Sequence, residues 1–106
     1  MRESVIEKYL VTQVKAVGGE VRKVQWIGRR GAPDRIVMLP AKRKAQTIDC
    51  AWCNPQGLTV WVELKATGVE PEPHQLREHK RMRDVGQTVL VIDSLEGVDE
   101  LLRGYK

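Results

Sequence analysis

The run LTVWVELK, Leu58–Lys65, constrains this chain more than any other stretch. It is dense in β-forming residues. Its alternation puts Leu58, Val60, Val62 and Leu64 on one face and Thr59, Trp61, Glu63 and Lys65 on the other. A strand apolar enough to be covered on both sides belongs in the middle of a sheet, with a layer packed on each face. Its last residues break that pattern, because Glu63 and Lys65 project side by side from the same face. Burying an unpaired charge is costly, so both need a partner. An ion pair at a wet strand end meets that need, and so does a functional site.

The flanking segments supply the layers. Val5, Ile6, Tyr9, Leu10, Val14 and Val17 follow a helical period over Ser4–Val17, closed by Gly18-Gly19. EVRKVQW (Glu20–Trp26) and DRIVML (Asp34–Leu39) read as strands joined by an Arg/Gly/Pro loop, and Pro40 ends the second. Residues 41–57 form a basic excursion ending in the turn signal Asn54-Pro55-Gln56-Gly57. After Gly68, Pro71 and Pro73, PHQLREHKRMRDVG predicts a second helix with Leu76, His79, Met82 and Val85 inward and Gly86 as its cap. QTVLVID is a fourth strand, and Ser94 begins a short last helix whose capping box is incomplete because Gly97 replaces the acid or amide. The order αβββαβα predicts an α/β fold, a mixed central sheet flanked by helices, in one domain over residues 1–106.

Charge points to polyanions: 18 Lys+Arg against 14 Asp+Glu give +4 and a pI near 9.3. No run approaches the roughly 20 apolar residues of a membrane span, and MRESVIEKYL lacks the apolar region of a signal peptide. With only Cys50 and Cys53, a disulfide framework is excluded and a reducing, cytoplasmic setting is expected. Cys50-x-x-Cys53 has zinc-ligand spacing, but no second pair follows, and Pro55 and Gly57 stand where a redox thiol would want a helix. His74 and His79 are five positions apart, not the four that aligns two imidazoles, so His79 reads as a core histidine and His74 as a helix-start residue. In a chain without Phe, Trp26 and Trp61 read as core, while Trp52 stays open as an interface or base-stacking residue.

Two further acids join Glu63. Asp34 opens its strand behind Pro33, whose ring fixes the chain direction and removes a backbone donor; a turn aspartate is the simpler reading. Glu7 precedes Leu10, Val11 and Val14 along the border of the apolar stripe of the first helix, so its carboxylate faces the sheet; a first-turn glutamate favoured by the helix dipole has the same position. If the three converge with Lys65 at one sheet end, they form an oxygen-rich site suited to Mg²⁺ or Mn²⁺. Such an ion polarises a phosphate and lowers the pKa of water, and a partly desolvated lysine can orient or deprotonate that water.

GAPD (Gly31–Asp34) followed by VELK (Val62–Lys65) resembles the PD-(D/E)xK nuclease signature. With Glu7 on the first helix, the RRGAPD loop and Gln75 opening the next helix, the chain resembles the virus-type replication-repair nuclease domain, VRR-NUC, from Glu7 to about Ser94. That resemblance implies a restriction-endonuclease-like αβββαβ core and metal-dependent cleavage of DNA. It also implies Glu7, Asp34 and Glu63 as metal-site acids, the Leu64 carbonyl as a backbone ligand, and Lys65 and Gln75 as catalytic or site-ordering side chains. The long stretch from Ala41 to Gly57, with its CAWC, departs from the family pattern.

Basic residues extend the expectation to DNA contacts: Arg29, Arg30 and Arg35 around the motif loop, Lys42, Arg43 and Lys44 in the excursion, and Arg77, Lys80 and Arg81 on the second helix, with Arg83 beyond. A solvated face explains any one of them equally well. None belongs to a recognisable base-reading helix, so binding should be salt-sensitive and largely sequence-independent. A lone catalytic core gains surface, and a second site for the second strand, by forming a homodimer. By resemblance the first substrate expected is a four-way junction, and flapped or nicked DNA the second. A DNA-binding module that does not cut, and a regulator held together by the same ion pairs, are the readings from other classes; the second predicts no metal binding.

Overall fold

The computed structural model describes residues 1–41 and 57–105; Lys42, Arg43, Lys44, Cys50, Trp52 and Cys53 lie outside them. The elements are α1 (Glu3–Ala16), β1 (Glu20–Lys23), β2 (Arg35–Leu39), β3 (Leu58–Leu64), α2 (Pro73–Asp84), β4 (Val89–Ile92) and α3 (Leu95–Leu101), in the expected order. One four-stranded sheet runs β1-β2-β3-β4, antiparallel at the first two pairings and parallel between β3 and β4. The sheet is therefore mixed, with β3 inside it. Among the described residues no helix is long and apolar enough to cross a membrane.

One sheet face is oily and the other is not. Ile6, Leu10 and Val14, each 0% exposed, align at helical i, i+4 spacing on α1. They pack with Val37, Leu39, Val60, Val62, Leu64 and Ile92 from the strands and with Val98 and Leu102. Each such side chain contributes roughly 1.5–3 kcal/mol by leaving water. α1 and α2 end alike: the Gly19 and Gln87 amides reach back to the Val14 and Met82 carbonyls, with Gly18 and Gly86 at positive φ. Ser94 caps α3 by accepting from the Gly97 amide at 3.0 Å.

Three expectations need correction. β1 stops at Lys23, short of Trp26, because its last partner is Arg35; the Val24 amide still donates to the Asp34 carbonyl before the loop departs. Leu76 and Val85 are exposed, at 50% and 76%; α2 instead buries Glu78, His79 and Met82. The reason is rotation and length, since Leu76 lies about 100° round the helix from Gln75 and Val85 is the C-cap. Trp26 and Trp61 are half-buried, meeting edge-to-face at 6.2 Å, and the Trp61 indole donates to Gln87 Oε1 at 2.9 Å. A polar N–H that needs a partner keeps this pair at the margin of the core.

Candidate active site

Register builds the site. Arg35 pairs with Val62 in the β2–β3 ladder, so Asp34 comes opposite Glu63 on the face turned away from α1. The Leu64 amide donates to Asp34 Oδ2 at 2.9 Å, tying the loop end to β3. Glu63 is 1% exposed, and Gln75 Nε2 on α2 donates to its Oε2 at 3.1 Å. Gln75 is itself aimed, because its Oε1 accepts from the Glu72 amide at 2.8 Å and so turns the NH₂ towards Glu63. Lys65 Nζ stands 3.6 Å from Glu63 Oε2. On the other oxygen, His79 Nε2 lies 3.7 Å from Oε1. Among the described residues, that Oε1 and both His79 ring nitrogens are buried without a hydrogen-bond partner. An unpaired group of this kind costs roughly 1–3 kcal/mol. Burial, and then the neighbouring Asp34 charge, push the Glu63 carboxyl from 4.5 up to about 7 against the pull of Lys65. Burial, and then Arg83, hold the His79 imidazole below its ordinary value.

The motif loop is clasped to the same helix. Gly31 has φ +93, and a Cβ there would stand 2.9 Å from Glu78 Cβ and 3.1 Å from the His74 carbonyl oxygen, so only glycine lets the loop approach α2 this closely. Glu78, 4% exposed, accepts from Arg29 Nη2 at 2.8 Å and from Arg81 Nη2 at 2.7 Å. The Arg29 hydrogen bond leads the causes that hold the Glu78 carboxyl below its usual range. Arg30 approaches His74 Nδ1 at 3.4 Å and is exposed, as is Arg77. Lys80 pairs with Asp84 at the surface. Arg35, only 13% exposed, pairs with Glu7 and donates to the Asp34 carbonyl. Of the basic residues expected on DNA, Arg29, Arg81 and Arg35 are thus engaged on the motif loop, α2 and α1, Arg83 donates to the Val89 carbonyl, and Lys80 keeps its surface pair.

No family model matches the chain. The "Putative nuclease p44" of Acyrthosiphon pisum secondary endosymbiont phage 1 is 43% identical over 94 residues, 89% of this chain and 85% of that protein. A solved structure of a VRR-NUC domain matches with TM-score 0.76 at 37% identity, over 100% of both chains. The chain belongs to the VRR-NUC family. It is a nuclease of that type, and its mixed sheet with flanking helices is the restriction-endonuclease-like core.

In this VRR-NUC chain the acids meet as a pair. Asp34 and Glu63 adjoin, while Glu7 is held by Arg35, and among the described residues no three His, Cys, Asp or Glu side chains gather closely enough to hold a metal. Mg²⁺ is usually bound through one or two carboxylates and keeps several waters for the substrate phosphate. Two adjoining carboxylates, one with a buried unpartnered oxygen, suit that chemistry. Sequence reasoning missed Glu78 and His79 as site contacts. Their signal was present, since His79 follows Gln75 by four residues and Glu78 precedes Arg81 by three.

Proposed function

We propose that this nuclease is a divalent-metal-dependent, structure-specific endodeoxyribonuclease that hydrolyses phosphodiester bonds of branched DNA, four-way junctions foremost, as a homodimer. The observation that carries the reading is the cross-strand Asp34–Glu63 pair, with Lys65 and Gln75 converging on Glu63. Asp34, Glu63 and the Leu64 carbonyl would hold Mg²⁺ or Mn²⁺, with Glu7 supporting them through Arg35, whose charge also acts on Glu63. When bound, the ion supplies positive charge against the charge developing on phosphate and lowers the pKa of water.

The chain's own residues do the rest. Gln75 fixes the Glu63 carboxylate. Lys65, 17% exposed, orients the attacking water, takes its proton or neutralises the phosphate. Arg30 and Arg77 lie exposed where phosphates flanking the scissile bond pass, while Arg29 and Arg81 hold the loop through Glu78. Lys80, and Lys42, Arg43 and Lys44 of the excursion, extend the positive surface.

The test is cleavage of labelled four-way-junction, flap, nicked, duplex and single-stranded DNA with Mg²⁺, Mn²⁺ or chelator. Wild type cuts the junction most efficiently, and Asp34→Asn falls to the level of the chelated enzyme. Preference for flaps or nicks moves the substrate assignment. Tight binding without cutting under any metal makes the protein a binding module on a nuclease fold.

A further inference from the structure

One helix faces Glu63 at both oxygens and holds it at one. Gln75 and His79 stand one turn apart on α2, and their side chains reach Oε2 and Oε1 respectively. The Gln75 contact is a formed hydrogen bond. The His79 contact, at 3.7 Å, is just outside that range, as catalytic hydrogen bonds often are before substrate and ion are bound. His79 is 0% exposed, and neither ring nitrogen has another hydrogen-bond partner among the described residues. A fully buried imidazole with no polar partner is poor core material; Leu or Met would fill the space without desolvating two nitrogens. What His79 faces explains its presence. Its Nε2 faces Glu63 Oε1 across 3.7 Å with no other polar atom of the described residues in reach.

We propose that His79 is a positioning residue: its Nε2–H donates to Glu63 Oε1 and, with Gln75 on Oε2, fixes the plane in which the carboxylate meets the divalent ion. The inference rests on the metal-dependent reading given above. With Glu63 ionised to meet the ion, Nε2 must carry the proton, because an unprotonated Nε2 would turn its lone pair on a carboxylate oxygen. His79 touches neither ion nor DNA and acts only through Glu63. Outer residues of this kind typically change metal affinity or activity by roughly 10–100-fold.

The experiment pairs His79→Leu and His79→Gln with wild type, measuring Mn²⁺ binding by calorimetry without DNA, junction cleavage against Mn²⁺ concentration, and thermal unfolding in chelator. His79→Leu is expected to stay folded, bind Mn²⁺ about tenfold or more weakly and need correspondingly more metal to cut. His79→Gln, whose amide can donate from a similar reach, should recover much of the binding. A folded His79→Leu with wild-type Mn²⁺ affinity overturns the inference while leaving the nuclease reading intact. Wild type that neither binds Mn²⁺ nor cuts sinks the metal-dependent reading and this inference with it. If the leucine variant does not fold, long-range ¹H–¹⁵N spectra of wild type decide. A proton on Nε2 whose signal moves on adding Mg²⁺ supports the assignment, and a proton on Nδ1 or an unmoved signal overturns it.

Discussion

Glu63 lies almost wholly out of water and across one strand spacing from a second carboxylate, with Lys65 Nζ 3.6 Å away. Burial and then Asp34 raise its pKa from 4.5 to about 7, so the folded state favours the protonated acid. The sign follows by linkage. Below pH 4.5 the group is protonated in both states, and as pH rises towards and through about 7 the folded state loses the stability it had relative to the unfolded chain. Glu63→Gln removes this titration. In chelator the variant should therefore be more stable than wild type at pH 8, by at most on the order of 3 kcal/mol, with the gap closing towards pH 5. Thermal unfolding across that range checks it, and parallel curves for the two proteins count against a strained Glu63. Mg²⁺ should raise the wild-type midpoint at pH 8 more than the variant's, since the ion binds the folded state through the carboxylate that Gln lacks. The variant should also lose cleavage while keeping its fold.

α2 and the motif loop act as a unit. The helix begins with a Gln75 contact that serves both its own N-terminus and Glu63, and one turn later presents His79 to the same acid. Between them Glu78 gathers Arg29 and Arg81, drawing the RRGAPD loop onto the helix where Gly31 leaves room. The two adjacent loop arginines therefore have different work. Arg29→Ala should lower the thermal midpoint by removing one of the two cations on Glu78, and should leave the salt dependence of DNA binding close to that of wild type. Arg30→Ala should leave the fold alone and reduce the slope of log affinity against log salt by about one. Binding isotherms at several salt concentrations separate the two residues. An unchanged slope for Arg30→Ala would make that arginine a solvated surface charge, and an equal loss for Arg29→Ala would mean that the Glu78 clasp opens on DNA.

For the whole molecule, the sheet order sets the number of sites. With β2 and β3 adjacent and antiparallel, Asp34 and Glu63 meet at one end of the sheet, so among the described residues the proposed site occurs once. Cutting two strands of a symmetric junction in step requires a second copy, most simply across an isologous two-fold interface. Sedimentation at the concentrations used for cleavage should then give about twice the 12.1 kDa chain mass. A monomer that nicks one strand at a time would replace the paired mechanism with sequential cleavage.

The amino-acid pattern by itself determined the elements and most of the acids. A period of two marks Leu58–Leu64 and a period near 3.6 marks Glu3–Ala16, while glycines at 18 and 86 end helices for reasons local to the chain. The GAPD and VELK segments were legible for the same reason, since each motif lies within one element or its edge. The tertiary structure decided everything that depends on two elements meeting. The pairing of Arg35 with Val62 sets Asp34 against Glu63. The rotation of α2 buries Glu78 and leaves Leu76 exposed, while His79 is inward as its spacing predicts. Arg35 takes Glu7, and Glu78 takes Arg29 and Arg81, because a charge near the core is stabilised by the nearest opposite charge that folding brings within reach. Arg29 and Glu78 stand 49 positions apart, and local spacing carries no information about a contact that only register and packing create, whereas Glu78 and Arg81 are neighbours at helical spacing.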